Sequence, residues 1–160
     1  MDSAIMHLFV FELFGGMMKR NTEVLMAIQA VSKQFRRRIR QIGDRYGLTQ
    51  IEANILSFLA NNPGRDTASD IIELRGFSKA IVSQGIESLV RKELVTRCED
   101  PSDRRITHLS LTGKSAPITA ALQKERQLFQ EQCFRGFSNQ EKQSYLELTD
   151  RIVSNLITGD

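Results

Sequence analysis

The stretch SKAIVSQGIESLVRK, Ser78 to Lys92, decides the fold. At helical spacing Val82, Ile86 and Leu89 fall on one face, with Ile81 and Val90 flanking them. Lys79, Ala80, Ser83, Gln84, Glu87 and Arg91 fall on the other face, and Ser78 stands where an N-cap belongs. The outer face is short and polar, with small residues near its start, so it can approach a base edge closely. Ser, Gln and Lys can hydrogen-bond base edges and phosphates in a major groove. Just upstream, Arg75-Gly76-Phe77 reads as a tight turn after a short helix over 68–75, capped by Asp66 or Thr67. Ile71, Ile72 and Leu74 are its apolar contacts. Two amphipathic helices joined by a short turn containing glycine form a helix-turn-helix. Periodicity alone would describe many helical hairpins; the polar outer face narrows the choice.

Downstream the period changes from helical to alternating. Leu94-Val95-Thr96-Arg97 suits a short strand, and Glu99 to Arg105 is a polar, turn-rich tip. Ile106 to Leu111 alternates as a half-buried strand does. The result is a two-stranded hairpin that is marginal alone and must pack on the neighbouring helices. Its tip carries paired arginines on a narrow projection, a shape suited to the minor groove, where arginine meets enhanced negative potential.

Working outward, Gly47 ends a helix over 21–46 whose stripe is Val24, Ile28, Val31, Phe35, Ile39 and Ile42. Lys33, Arg36, Arg37, Arg38, Arg40 and Arg45 spread around it, as a solvated face or as phosphate contacts. Thr49-Gln50-Ile51-Glu52 is a capping box opening a helix that turns Ile51, Ile55, Phe58 and Leu59 inward. Asn61-Asn62-Pro63-Gly64 stops it. Thr112 ends the second strand and is placed to cap the next element. Pro117 sits in the first turn of a helix reaching about Arg135, which carries Ile118, Ala121, Leu122, Leu128, Phe129 and Cys133. Gly136 closes it, and Ser138-Asn139-Gln140-Glu141 is a second capping box. The last helix carries Tyr145, Leu148, Ile152, Val153 and Leu156.

The apolar stretch Ile5–Met18 is shorter than a membrane span of roughly 20 residues and lacks the basic start of a secretory signal. It reads as a helix buried against a partner subunit through Leu8, Phe9, Phe11, Leu13 and Phe14. The alternatives are translation starting at Met17 or Met18, or a segment lying on a membrane surface.

The 160 residues suit one compact domain, or a small domain with an oligomerisation arm. Hydrophobic residues at 41% supply a core and exclude a wholly disordered chain. A net charge of +3 is too slight to name a partner, so the placement of charge matters more than its sum. Two cysteines, Cys98 and Cys133, without C-x-x-C spacing exclude a disulfide scaffold and fit a reducing, cytoplasmic setting. Both read as small packing residues. Two histidines leave little material for a metal site, and His108 reads as a surface residue. No G-x-S-x-G, P-loop or H-E-x-x-H motif points to an enzyme, and no cofactor is expected.

At the hairpin the chain resembles the MarR family of bacterial transcription regulators. DRRITHLSLT, Asp103 to Thr112, fits the family wing signature D-x-R-x-x-x-L-x-L-T at every fixed position. Ser78 to Lys92 looks like the family recognition helix, and LTQIEANIL, Leu48 to Leu56, like the helix that opens the winged domain. The resemblance covers roughly residues 21 to 157. It implies a mainly α protein with a small β-hairpin wing: a winged helix-turn-helix domain plus a helical dimerisation region. Residues 1–46 and 113–160 would dimerise, and 47–112 would form the DNA-binding lobe. Such homodimers read double-stranded operator DNA with half-sites about one helical turn apart. Many relatives repress transcription and let go of DNA when a small aromatic or lipophilic molecule binds.

Carried over residue by residue, Ser78, Lys79, Ala80, Ser83 and Gln84 would face the major groove. Arg105 would enter the minor groove, Asp103 would orient it, and Arg104 would meet a phosphate. Arg97 at the wing base is a further phosphate candidate. The oxidant-sensing branch uses a cysteine near the N-terminus, and none stands there. Two positions depart from the pattern. Glu93 stands where relatives carry glycine after the recognition helix, and Gly85 lies inside that helix, where it permits close backbone packing.

Overall fold

The computed structural model describes the backbone of residues 3–157 and the side chains of residues 22–73 and 76–155. The elements run α1 (Ser3–Arg45), α2 (Gln50–Asn61), α3 (Ala68–Arg75), α4 (Lys79–Arg91), β1 (Val95–Glu99), β2 (Thr107–Leu111), a 3-10 turn (Gly113–Ser115), α5 (Ala116–Cys133) and α6 (Asn139–Ile157). The fold is mainly helical with one antiparallel hairpin, as the sequence implies. Two compact units result, Met1–Leu122 and Gln123–Asp160. No helix among the described residues is long and apolar enough to cross a membrane.

In the first unit the expected helix boundaries are met by identifiable chemistry. The Thr49 amide donates to Glu52 Oε2 at 2.6 Å while Thr49 Oγ1 accepts from the Glu52 amide, closing the capping box. Thr67, not Asp66, caps α3 in the same way, with Asp70 as its partner. Gly76 at φ +65° ends α3, and its amide donates to the Ile72 carbonyl. Asn61 and Asn62 turn their side-chain amides back onto the Ser57 and Phe58 carbonyls in the last turn of α2. Ser78 occupies the N-cap position of α4 but makes no side-chain cap bond.

The core gathers Ile55, Leu56 and Phe58 of α2, Ile71 of α3, Val82, Ile86 and Leu89 of α4, and Leu94, Val95 and Leu109 of the hairpin. It also takes Ile39 and Ile42 from α1 and Ile118 and Leu122 from α5. The buried lobe therefore reaches beyond the expected 47–112 on both sides. Gly85 is where α4 meets α2: a Cβ there would lie 2.7 Å from Ile55 Cδ1 and 3.1 Å from Ile51 Cγ1. The close approach expected of this glycine is what the packing uses.

Several expectations are corrected. The apolar N-terminal stretch and the 21–46 segment join in one 43-residue helix. Gly15 and Gly16 each cost about 1 kcal/mol of helix propensity, too little to break a run that contains no proline. The stripe on α1 is buried only at its C-terminal end: Ile39 and Ile42 are in the core, Phe35 is half-buried, and Val24, Ile28 and Val31 are exposed. Ile81 is exposed on the flank of α4. Cys98 and Cys133 are exposed as well, so neither is a packing residue. Thr112 does not cap the following turn; its hydroxyl donates to the Glu93 carbonyl at 2.7 Å. The burial of Leu8, Phe9, Phe11, Leu13 and Phe14, and the contacts of Leu74 and Leu156, lie outside the described side chains.

In the second unit, the Ser138 amide donates to Glu141 Oε2 at 2.8 Å and Ser138 Oγ accepts from the Glu141 amide, which closes the second capping box. Gly136 at φ +83° makes the turn. Phe134 packs edge-on against Phe137 and Tyr145. Along α6, Tyr145, Leu146, Leu148, Ile152 and Val153 remain exposed.

Candidate nucleic-acid interface

The outer face of α4 is open to solvent along its length. Ser78, Lys79, Ala80, Ser83 and Gln84 are all exposed there, with Glu87 and Arg91 continuing the face. Burial of Val82, Gly85, Ile86 and Leu89 on the opposite side fixes this orientation. The turn Gly76-Phe77-Ser78 joins α3 to α4 as a helix-turn-helix.

The hairpin follows directly. Val95 pairs with Leu111, Arg97 with Leu109 and Glu99 with Thr107. Val95 and Leu109 anchor it in the core, while Arg97 is exposed on β1. At the tip, Asp100 Oδ1 accepts the amides of Ser102 and Asp103, at 2.7 and 2.9 Å, so the chain reverses around one carboxylate. Ser102's hydroxyl, then His108 and these two amides, hold the Asp100 carboxyl well below the usual carboxylate range.

Asp103 then grips Arg105 as a fork. Arg105 Nε donates to Asp103 Oδ1 at 3.0 Å and Nη2 to Oδ2 at 2.9 Å, and the Arg105 amide also donates to Oδ1. The guanidinium beside Asp103 holds that carboxyl below its usual range. The Arg105 side chain nevertheless keeps 90% of its surface exposed. It is a planar cation held at a set angle with its surface free, an arrangement suited to planar recognition. Arg104 beside it is exposed.

Residues missed at the sequence level join the wing to the lobe. His108 donates from Nδ1 to Asp66 Oδ1 at 2.7 Å and faces Asp100 Oδ2 with Nε2 at 3.1 Å. It is therefore more than the surface residue it reads as. The Leu109 amide donates to the Asp66 carbonyl at 2.8 Å, and Thr67 forms a β-bridge with His108. Asp66 sits in a loop 42 positions from His108, a separation with no local sequence signal. Among the described residues no cluster of three or more His, Cys, Asp or Glu side chains could hold a metal ion.

Comparison with known proteins agrees with this geometry. The MarR family model matches residues 46–106, from the turn before α2 to the wing tip. Over these residues the winged lobe is similar to the MarR family. The transcriptional regulator AdcR of Streptococcus pyogenes is 32% identical over 73 residues, covering 46% of this chain and 48% of AdcR. The chain thus matches about half the length of that relative. A MarR-family regulator from Silicibacter pomeroyi superposes with a TM-score of 0.71 at 19% identity, over 81% of this chain and 86% of that one. A mutant of Staphylococcus aureus MepR bound to an oligodeoxyribonucleotide superposes with a TM-score of 0.53 at 19% identity, over 83% of this chain and 97% of its own. These likenesses extend the agreement in fold beyond the MarR lobe to the flanking helices.

The end of α4 also explains Glu93. It adopts φ +60°, the left-handed conformation that glycine takes without steric penalty. The Leu94 amide donates to the Leu89 carbonyl and the Glu93 amide to the Val90 carbonyl, the paired bonds of a Schellman helix end. The turn is the glycine type, built here with glutamate. Thr112 on the Glu93 carbonyl and Lys114 on its carboxylate, each a single bond, hold it in place.

Proposed function

We propose that the chain is a homodimeric, sequence-specific DNA-binding transcription regulator of the bacterial cytoplasm, acting as a repressor that a small aromatic or lipophilic molecule releases. The observation that carries the reading is the Asp103–Arg105 fork, presented on a hairpin beside the free polar face of α4. Ser78, Lys79, Ala80, Ser83 and Gln84 read the major groove. Arg105 enters the adjacent minor groove, and Arg104 and Arg97 meet phosphates. The relatives' description as transcriptional regulators supports the same reading.

The dimer rests on the apolar faces left open on α1 and α6. Val24, Ile28 and Val31 on one and Leu148, Ile152 and Val153 on the other each expose about half of their surface. Contiguous apolar patches of this kind mark association surfaces. Two lobes would then read half-sites about 10 bp apart.

A gel-shift titration with DNA from just upstream of the protein's own gene tests this, at two salt concentrations and with or without a salicylate-like aromatic acid. The expected result is saturable binding that outlasts unrelated competitor and weakens steeply with salt, by about 0.9 in the log–log slope for each phosphate neutralised. Release by the acid establishes the ligand switch. Binding of upstream and competitor DNA with equal affinity overturns sequence-specific recognition there.

A further inference from the structure

We propose that His108 is a positioning residue of the wing, a doubly protonated imidazole that pins the tip to the loop before α3, so that wing contact with DNA is lost when it deprotonates. The DNA half of this proposal rests on the function proposed above; the pin itself does not.

Donors and acceptors decide the charge of the ring. The two ring nitrogens face two different carboxylates, Asp66 at 2.7 Å and Asp100 at 3.1 Å. A neutral imidazole offers one donor and one acceptor, and an ionised carboxylate only accepts. Both contacts are hydrogen bonds only if both nitrogens carry protons or one carboxyl is protonated. Asp100 Oδ1 already accepts from the Ser102 hydroxyl and from two amides, and three donors converging on one carboxylate favour its ionised form. The remaining proton therefore belongs to the ring.

Three elements place titratable groups against or opposite the ring. The loop before α3 presents Asp66, the wing tip presents Asp100, and β1 places Cys98 opposite His108 in the ladder. Asp70, the acid of α3 nearest in sequence, is taken up by Thr67 and Arg65. Asp66 and then Asp100 raise the His108 pKa above its ordinary value. A group raised on folding contributes fully below its unfolded pKa of about 6.5, and that contribution fades as pH climbs through the folded value.

The pin connects to the DNA-facing end. Asp100 binds His108 through Oδ2 and shapes the tip through Oδ1, and the Asp103 amide it holds belongs to the residue that forks Arg105. A continuous run of bonds thus leads from Asp66, beside the helix-turn-helix, to Arg105. Loss of one ring proton turns one link into a lone pair facing a carboxylate. The backbone ladder stays, and the tip loosens.

The experiment uses the full chain carrying His7→Gln, which leaves His108 as the one imidazole of the two in the sequence. Nitrogen-resolved NMR follows the ring and the amides of residues 100–106 from pH 6 to 9, and fluorescence anisotropy follows binding of upstream DNA over the same range. Expected are an imidazolium pattern at neutral pH, titration above 6.5, and tip amides that become mobile through that titration. DNA affinity should fall about fivefold or more on the alkaline side, whereas His108→Gln in the same background should bind weakly with little pH dependence. A ring that titrates at or below 6.5, or a tip that stays rigid through the titration, overturns the pin whatever the DNA does. Affinity that ignores pH while the ring titrates overturns the link to DNA. If no DNA binds at any pH, the proposed function fails, and the ring and tip signals still decide the pin.

Discussion

Lys92, at the C-terminal cap of α4, places its ammonium 2.8 Å from Oε1 and 2.9 Å from Oε2 of Glu52, a carboxylate whose side chain keeps only 1% of its surface exposed. The same ammonium donates to the Gly47 carbonyl at 2.9 Å. One cation therefore ties the end of α4 to the start of α2 and to the turn after α1. Burial pushes the Glu52 carboxyl up, but hydrogen bonds from Lys92, Ser88 and Thr49 together outweigh it and hold the group below its ordinary value. Lys92→Met removes the counter-charge and leaves a buried carboxylate. Breaking a fully buried pair costs 3–5 kcal/mol, and because the lysine end is partly open the expected loss here is about 2 kcal/mol. Glu52→Gln should cost less, since it leaves no buried charge. A depressed carboxyl contributes its stability above its unfolded pKa and loses it as pH falls through the folded value. The Lys92→Met deficit in urea unfolding should therefore be full at pH 7 and narrow below about pH 4. An unchanged midpoint at pH 7 would show the pair to be ornamental.

Gly85 trades helix propensity for contact. Alanine there gains about 1 kcal/mol in the helix but places a methyl 2.7 Å from Ile55 Cδ1 in a fully buried site. We expect Gly85→Ala to destabilise the lobe by about 1 kcal/mol net, and Ile55→Val, which removes the clashing carbon, to recover part of that loss in the double variant. Additive losses in denaturant titrations would mean that α2 and α4 do not meet through this pair.

Glu93→Gly should raise the melting temperature by about 2–4 °C, the shift that relief of roughly 1 kcal/mol of left-handed strain brings in a chain of this size. The exposed ion pair with Lys114 that it removes contributes little. Glu93→Ala keeps the strain and loses the ion pair, so it should not stabilise. Equal melting temperatures for the glycine and alanine variants would count against a strained helix end.

The legibility of this fold in its sequence follows the range of the interactions. Capping boxes at Thr49 and Ser138 and the turn at Gly76 are complete within a few residues and stand where the sequence puts them, whereas β2 begins at Thr107 and leaves Ile106 exposed outside it. The fork of Asp103 on Arg105 also spans two residues, but it is read from the resemblance to the family wing signature and not from any local pattern. Pairings across 40 and 42 positions, Glu52 with Lys92 and Asp66 with His108, have no pattern at any helical or strand period, and only the packed lobe brings them together. The stripe on α1 is misread for a different reason. Periodicity reports that a face is apolar, and says nothing of whether its cover comes from the same chain.

If that cover is a second copy, one charge should expose the fact. Ile152 of α6 is 60% exposed in the single chain, so Ile152→Asp disturbs little within the fold. In a dimer it would bury an unpaired carboxylate, at a cost of several kcal/mol. Sedimentation should find the parent chain dimeric at micromolar concentration and the variant shifted strongly toward monomer, with the far-UV circular dichroism unchanged. A variant that sediments as the parent does would take α6 out of the interface.

The wing offers the sharpest separation of mechanism from simple charge. Arg105→Ala should weaken operator binding about fivefold or more and leave the dimer intact, because the side chain is exposed and touches nothing in the core. Arg104→Ala, if its contact is a phosphate, should weaken all sequences alike and reduce the salt slope by about 1. Asp103→Asn decides how Arg105 works. It removes a negative charge from a surface facing polyanionic DNA, so electrostatics alone predicts tighter binding. Yet it also replaces the two-oxygen acceptor that sets the guanidinium plane with an amide that can accept at only one end. If the orientation of Arg105 matters, Asp103→Asn binds more weakly than the parent chain despite its gain in positive charge, and its discrimination against competitor DNA falls further than its affinity. Anisotropy titrations with operator and competitor read both quantities. Tighter, less salt-tolerant binding to every sequence would instead reduce Arg105 to one more point charge on the wing.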